Sequence, residues 1–429
     1  MYETSQLNHL TGKVVRIENS GMAVDLIQTS EGMLRIGAMP DISKLTTYYE
    51  LDDTLVVVPE WQVSQAGDNY TGEEFVFWHA QVFGHQGRRY IGQPDRVNCL
   101  KDRLEAVFPY FFDEERINIV RKTWLDQWFI SQPVQGQYKC RDLEVDLSED
   151  NIVINDGGQT IYNRIELAPL KAPDDMVEDR LAKVASDQFV RDGLEIKIIG
   201  SGNGFSGRSA SVLARHGKRV IWIDPCAFPA HSLGDAGVHW DDITDILITH
   251  NHEDHMSGFS ACLERCRLKN QKLHLITGEN IFRILKQQFQ ALFPQIEQLV
   301  AFTEINPGTP LTFDGITIDS RWNHHFLPYG TLGIKISGGG RRCGISGDTK
   351  FSTRINEVVG RPELEPSWFA DCDLVLHEVD FVSPDGVHSY WEEVAKIQDA
   401  IAGKLYAYHS PEVNSPPIDL VREGQTFRL

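Results

Sequence analysis

A short apolar strand that runs into a cluster of histidines and acids constrains this chain more than any other feature. Residues 246–248 are isoleucine and leucine, a pattern that predicts a buried strand. Residues 249–255, which follow at once, contain three histidines and two acids. Side chains of this kind pack poorly into a core, but imidazoles and carboxylates are ligands that zinc and related metals prefer. The stretch therefore predicts a metal site at the end of a strand.

The spacing within this stretch divides its side chains between two ions. His250 and His252 lie two residues apart and can reach one ion. Asp254 and His255 are adjacent and leave the turn in different directions, so they suit a second ion. A site of this kind still lacks a third imidazole for the first ion and further ligands for the second.

A histidine pair at a later strand end offers that third imidazole. Residues 316–322 read as a strand, and the alternation of Ile316, Ile318 and Trp322 places His324 on the same face as these apolar residues. We therefore predict His324 as the ligand of the first ion, with His325 as the alternate.

Two more strand ends complete the predicted set. Residues 344–349 end a strand in Gly-Asp-Thr, where the Asp348 carboxylate can bridge two cations. Residues 405–408 form an apolar strand followed by His409, which supplies the second ion with an imidazole. Two ions about 3.5–4 Å apart with an open bridging position form a hydrolytic site. Zinc suits the histidine-rich set, and manganese or iron would also fit.

The pattern His250-x-His252-x-Asp254-His255 is the HxHxDH motif of the metallo-β-lactamase superfamily, which this chain resembles over residues 194–415. A strand that ends in His377-Glu378 resembles the phosphodiesterase branch, best known from ribonuclease Z, as does the downstream His388-Ser389. The resemblance implies an α/β fold, an αββα sandwich, preceded here by a smaller α+β domain.

The same resemblance implies roles for individual residues. Asp224, at a strand end, would orient the ligand loop, and His388 would contact the scissile phosphate and donate a proton, with Glu378 orienting it. A metal-bridging hydroxide would attack the phosphodiester, with Asp254 taking the proton of the water.

The composition narrows the substrate. The formal charge of −20 and the lack of a long Lys/Arg run disfavour a nucleic-acid duplex, and no Gly-Pro-rich arm for gripping tRNA is found. We therefore predict a cyclic nucleotide or another small phosphodiester as substrate. A ribonuclease Z-like endonuclease on RNA or single-stranded nucleic acid is the first alternative. An ester, thioester or lactone hydrolase is the second, and a binding module with a degenerate site is disfavoured because the metal ligands are retained.

The rest of the chain predicts a domain of its own. Residues 1–190 alternate short strands, two helical patterns (near 96–108 and 114–129) and a hairpin across Gly157-Gly158, which indicates an α+β accessory domain before a hydrolase domain at 194–429. His79, His85, Arg88, Arg89 and Trp128 could touch a ligand there, although a packing or dimerisation role is favoured. The start lacks an apolar signal segment, no window reaches about 18 apolar residues, and seven cysteines are scattered, so we expect a cytoplasmic protein off the membrane. The resemblance to the phosphodiesterase branch, whose members are often dimers, also implies that the N-terminal strands could form a homodimer interface.

Overall fold

The computed structural model describes residues 6–58, 62–73, 76, 88–106, 129–131, 136–148, 151–164, 175–185, 191–204, 208–325, 330–360, 366–411 and 413–429. Their contacts divide the chain into two compact units, residues 1–179 with 287–294 and residues 180–286 with 295–429. The helix expected at 114–129, up to residue 128, and the candidate residues His79, His85 and Trp128 lie outside the described residues.

The first unit is built on two sheets and a short hairpin. The strands are β1 (Gln6–His9), β2 (Val14–Asn19), β3 (Met22–Thr29), β4 (Gly32–Ile36), β5 (Asp53–Val57), β6 (Val63–Ser64), β7 (Gly67–Asp68), β8 (Arg89–Gly92), β9 (Phe129–Ser131), β10 (Gln137–Cys140), β11 (Leu143–Leu147), β12 (Ile152–Asp156) and β13 (Gln159–Asn163). The seven-stranded sheet has the order β1-β2-β3-β4-β5-β8-β9, and the four-stranded antiparallel sheet has the order β10-β11-β12-β13. Strands β6 and β7 form the short hairpin.

One apolar core joins these two sheets. Val14, Ile27 and Leu34 of the larger sheet pack in a single cluster with residues such as Val145 and Ile154 of the smaller one. Burial alternates along β11 as the two-residue period of a strand requires. The predicted hairpin is confirmed, because β12 and β13 pair across Gly157 and Gly158, both with positive φ.

Helix α2 (Pro94–Ala106) shows how local sequence sets an element of this unit; α1 is Ile42–Tyr48. Proline stands at its first position, where the missing N–H costs no hydrogen bond, and Asp95 lies in the first turn, where an acid favours the helix dipole. Val97, Leu100 and Leu104 recur at helical spacing and are buried.

A group of buried ions lies within the same unit. Arg88 pairs with Asp53 at 2.7 Å and with Glu73 at 3.0 Å, and Arg35 contacts both acids. The Tyr90 hydroxyl donates to Glu73 at 2.6 Å. Arg88 was a candidate ligand contact on sequence grounds, but its guanidinium is committed to these internal pairs.

The second unit contains a seven-stranded and a six-stranded sheet. The strands are β14 (Arg191–Gly200), β15 (Ser211–Gly217), β16 (Arg219–Ile223), β17 (Asp245–Leu247), β18 (Leu273–Thr277), β19 (Val300–Glu304), β20 (Leu311–Phe313), β21 (Ile316–Trp322), β22 (Leu332–Gly338), β23 (Arg341–Ile345), β24 (Leu374–Glu378), β25 (Lys404–Tyr408) and β26 (Thr426–Arg428). The seven-stranded sheet has the order β19-β18-β17-β16-β15-β14-β26, and the six-stranded sheet has the order β20-β21-β22-β23-β24-β25. Strands β16–β19 run parallel, as do β23–β25.

Helices complete this unit. They are α4 (Pro229–Asp235), α5 (Glu253–Met256), α6 (Phe259–Leu268), α8 (Ile296–Leu299), α9 (Thr353–Val359) and α10 (Trp391–Gln398). Helices α3 (Asp175–Leu181) and α7 (Glu279–Phe289) each cross one of the three boundaries between the units along the chain. β14 contacts β22 and β23 of the other sheet, α4 and α6 contact strands of the first sheet, and α10 contacts β25. This layering of two sheets with helices on both confirms the predicted αββα sandwich. No helix in the described part of the chain is long and apolar enough to cross a membrane.

Candidate metal centre

The candidate site lies where strands of both sheets end. Strands β17 and β24 are buried along their whole length, so the chain first becomes polar beyond their carboxyl ends. Asp224 follows β16, His250 follows β17, Asp348 follows β23 and His409 follows β25. Neighbouring parallel strands bring such ends to one edge, which is where α/β folds place their sites.

One group of side chains gathers four ligand atoms. His250, His252, His325 and Asp348 each offer an atom within 4.8 Å of all the others. The Nε2 atom of His250 lies 3.1 Å from Nδ1 of His252 and 3.7 Å from Oδ2 of Asp348. The His325 Nε2 atom lies 3.8 Å from that same carboxylate oxygen. Three imidazoles and a carboxylate thus converge on one point.

A second group lies on the other side of the Asp348 carboxylate. Asp254, His255 and His409 have ligand atoms within 4.8 Å of one another. The Oδ1 atom of Asp348 is 3.2 Å from His255 Nε2 and 3.7 Å from His409 Nε2. Because Oδ2 faces the first group and Oδ1 the second, Asp348 stands between them as a shared ligand would.

Asp224 and Thr249 hold the ligand imidazoles in a fixed orientation. His255 Nδ1 lies 2.9 Å from Asp224 Oδ2, which also accepts from the Thr249 hydroxyl at 2.6 Å, and Asp224 Oδ1 accepts from the Thr249 N–H at 2.7 Å. His250 Nδ1 lies 3.0 Å from the Thr249 hydroxyl. Both rings therefore donate through Nδ1 and direct Nε2 into the site, as metal-binding histidines do. Asp224 adopts a left-handed φ of 50°, and backbone strain of this kind gathers at functional sites.

Burial sets the protonation of the first group. Burial lowers the pKa of His252 to about 4 and lowers the pKa of His250 and His325 well below the ordinary value. These three imidazoles are therefore neutral at pH 7, the form in which histidine binds a metal.

The carboxylates are ionised although they are buried. Burial opposes ionisation, but the neighbouring His255 and His409 outweigh it and hold the pKa of Asp254 and of Asp348 well below the usual range. In return the two carboxylates raise the pKa of His255 against the effect of burial. The site concentrates negative charge that a cation would neutralise, and cation binding would displace the proton of His255.

His388 and Glu378 form a separate pair beside the two groups. Nδ1 of His388 donates to Glu378 Oε2, and Glu378 Oε1 accepts from the Thr349 N–H at 2.5 Å. Burial lowers the pKa of His388, but the Glu378 carboxylate more than compensates and raises it to about 10. The His388 ring centroid lies 5.7 Å from that of His325 and 5.5 Å from that of His409, and its side chain is 29% exposed. A protonated imidazole thus stands at the open side of the site.

Of the two candidate imidazoles near residue 324, the structure brings His325 into the first group, and His324 is in none of the groups. The preference for His324 is corrected for a physical reason. The pairing of β21 with β22 is regular as far as Trp322, where β21 ends. The two histidines lie beyond the strand, so an alternation carried on from Ile316 does not extend to them.

The sequence pattern missed several supporting side chains. Asn323 donates from Nδ2 to the Ser346 carbonyl at 2.6 Å and to the Asp348 carbonyl at 3.0 Å, which fixes the strand end that carries Asp348. Ser389 Oγ donates to the Thr349 carbonyl at 2.6 Å. Asn323 belongs to no motif, and Ser389 was quoted only as part of the His388-Ser389 pair, without a role of its own.

The donor set fits divalent transition-metal ions. Five imidazoles and two carboxylates converge in two groups that share one carboxylate, and such nitrogen and oxygen ligands suit zinc, manganese or iron. A third combination, Asp348, Glu378, His388 and His409, also has ligand atoms within 4.8 Å. Its Glu378 and His388 are hydrogen-bonded to each other and form a pair distinct from the two ligand groups.

The model of the anti-Pycsar protein Apyc1 family matches residues 194–426, more than half of the chain. The chain belongs to this Apyc1 family. It is 26% identical over 252 residues to the cGMP-dependent 3′,5′-cGMP phosphodiesterase A of Dictyostelium discoideum, a match that covers 54% of this chain but only 28% of that enzyme. It is 22% identical over 233 residues to the anti-Pycsar protein Apyc1 of Paenibacillus xerothermodurans, which covers 50% of this chain and 87% of that protein.

Two solved structures are similar to part of this Apyc1 family member. The metallo-β-lactamase fold protein YhfI from Bacillus subtilis is 17% identical, with 56% of this chain and 100% of that chain covered and a TM-score of 0.45. The short form of human tRNase Z is 14% identical, with 54% and 98% covered and a TM-score of 0.45.

Proposed function

We propose that the second unit is a two-metal phosphodiesterase that acts on a cyclic nucleotide or another small phosphodiester. The observation that carries this proposal is the Asp348 carboxylate, whose two oxygens face two separate groups of histidine and aspartate ligands. A protonated histidine beside two metal-binding groups provides the general acid that displacement at phosphorus needs.

The ligands divide between the two ions as the groups do. His250, His252 and His325 would hold the first ion, while Asp254, His255 and His409 would hold the second, and Asp348 would contact both. Bound divalent cations would supply an acidified water as nucleophile and would neutralise charge on the phosphoryl oxygens.

The side chains of the chain move the protons. Asp254 is ionised and 15% exposed, so it can accept the proton of the attacking water. His388 is protonated on both ring nitrogens below a pKa of about 10, and Glu378 occupies its Nδ1. The Nε2–H of His388 is then left to donate to the leaving alkoxide, which needs a proton because it is a poor leaving group.

The choice of substrate rests on charge and on relatives. A net charge of −20 disfavours long nucleic acids, whose binding needs neutralised phosphates, whereas a small anion held at cations is compatible with it. One relative is a 3′,5′-cGMP phosphodiesterase by name, although its similarity covers 28% of that protein. A cyclic nucleotide is therefore the first substrate to test. The accessory role of residues 1–190, the homodimer and the cytoplasmic location stay predictions.

The test is hydrolysis of 3′,5′-cyclic nucleotides by metal-loaded protein, with metal content measured on the same samples. We expect two metal equivalents and a loss of about 10²- to 10⁴-fold in turnover for His388→Ala, the range of general acid catalysis. The control is His274→Ala, which removes an exposed histidine of β18. A fully loaded protein that hydrolyses no phosphodiester would refute the proposal, and esters, thioesters and lactones would then be tried.

A further inference from the structure

The segment that carries His388 is a loop between β24 and α10. Its two ends are joined, because the Asp380 N–H donates to the Ser389 carbonyl at 2.8 Å and the Trp391 N–H donates to the Asp380 carbonyl at 3.0 Å. The Asp380 carboxylate also accepts from the N–H groups of Val382 at 2.7 Å and Ser383 at 3.1 Å. These bonds fix the start and the base of the loop.

Lys350, on the segment that follows β23, holds the remaining part of this loop through its side chain. Its Nζ donates to the Pro384 carbonyl at 2.8 Å and to the carbonyl of His388 itself at 2.9 Å. Lys350 follows Asp348, the shared carboxylate, by two residues. The Lys350 side chain therefore connects the strand end that carries Asp348 to the backbone of His388.

The backbone around Lys350 makes contacts that do not depend on its side chain. Its own N–H donates to the His324 carbonyl at 2.6 Å, and the Phe351 N–H donates to Ser389 Oγ at 2.8 Å. The Thr349 N–H donates to Glu378. Replacing the Lys350 side chain would leave these bonds in place and remove only the two that reach the loop.

Two apolar side chains of the loop are exposed. Val382 is 79% exposed and Val387 is 48% exposed, so neither contributes much apolar burial. Because a displacement of about 1 Å in a reacting group can cost about 10²-fold in rate, the loop backbone must be held for His388 to work as an acid.

We infer that Lys350 is a positioning residue that holds the loop backbone so that His388 Nε2 faces the leaving oxygen. The inference rests on the proposed function, since it assumes that His388 donates a proton to that oxygen. It assigns the ammonium group to the protein's own carbonyls and not to the substrate phosphate.

Substrates with different leaving groups test this role. A 3′,5′-cyclic nucleotide expels a sugar alkoxide, which needs an acid, whereas bis(p-nitrophenyl) phosphate expels a stable phenolate, which does not. We expect Lys350→Met to lower turnover of the cyclic nucleotide by about 10- to 100-fold and that of the nitrophenyl ester by less than about 3-fold, at unchanged metal content. Lys350→Arg, which keeps charge and donors, should recover most of the loss. The matched control is Lys396→Met, in which a 59% exposed lysine of α10 is replaced.

A double-mutant cycle separates positioning from an independent role. In the His388→Ala background, Lys350→Met should have little further effect on cyclic nucleotide turnover, because residues that act through one another are not additive. Equal losses on both substrates, or a full additional loss in the double mutant, would overturn the inference and indicate a direct contact with the phosphate or a general structural role.

Hydrogen exchange tests the loop without turnover. We expect the amides of residues 382–389 to exchange about tenfold faster in Lys350→Met than in wild-type protein or Lys396→Met, because two backbone carbonyls lose their partner. If wild-type protein hydrolyses neither substrate, the phosphodiesterase proposal fails and exchange alone decides. Faster exchange would then support the hold on the loop, and unchanged exchange would refute it.

Discussion

Replacing Asp224 by asparagine should weaken binding of the second metal ion far more than binding of the first. The Asp224 carboxylate accepts three hydrogen bonds, two from Thr249 and one from His255 Nδ1. An amide has one acceptor oxygen and one donor nitrogen, so at least one of the three donors meets another donor. Asparagine tolerates the left-handed φ of 50° at this position, so the backbone can stay as it is.

The size of the effect follows from the way the ring is held. His255 directs Nε2 to the second group only while Nδ1 donates to Asp224, and loss of such an outer partner costs about 10- to 100-fold in metal affinity. This corresponds to about 1.4–2.7 kcal/mol for the second ion. His250 is connected to Asp224 only through the Thr249 hydroxyl, so the affinity for the first ion should change by a few-fold at most.

The assay is a chelator competition titration with zinc, which resolves two dissociation constants, together with metal analysis after dialysis. Asp241→Asn is the control, since Asp241 is 48% exposed and pairs with Arg265 and Lys269. Two unchanged constants in Asp224→Asn, or equal losses at both, would refute the reasoning that Asp224 acts through His255.

Three further predictions follow from single residues. His325→Ala should remove the first metal equivalent while His324→Ala keeps both, and metal analysis of the two variants decides between them. Arg88→Met leaves Asp53 and Glu73 buried without this partner and should destabilise the first unit by about 3–5 kcal/mol in urea unfolding. The control Arg141→Met, which replaces an 81% exposed side chain, should cost less than about 1 kcal/mol. Burial between aromatic rings lowers the pKa of His377 to about 4. Below pH 6.5 His377 becomes protonated in the unfolded chain but stays neutral in the folded one, so the free energy of unfolding decreases as the pH falls toward 4. Between pH 7.5 and 4.5, metal-free His377→Gln should lose about 2–3 kcal/mol less of its free energy of unfolding than metal-free wild-type protein.

Much of the second unit could be predicted because its signals are local. The apolar run before His250 predicts a buried strand, and β17 is buried at each of its three positions. The parallel order of β16–β18 and of β23–β25 then brings strand ends to one edge, so that ligands far apart in sequence meet. Side chains placed at strand ends by pattern alone therefore fall into two groups around Asp348.

The choice between two adjacent histidines shows where such reasoning stops. A strand pattern assigns faces by counting, but β21 ends at Trp322, so the count does not extend to the two histidines beyond it. The chain there is held by Asn323, which donates to the carbonyls of Ser346 and Asp348 at another strand end. Nothing near residue 324 carries this information.

The sequence by itself determined which residues could bind metals and which strands would carry them, because ligand chemistry and strand periodicity are properties of neighbouring residues. The tertiary structure decided how the ligands are shared. It set the two oxygens of Asp348 toward different groups, and it placed His325 in one of them. It also placed the Lys350 ammonium on the carbonyl of His388. Each of these depends on distances between segments that only packing brings together, so no local pattern could have shown them.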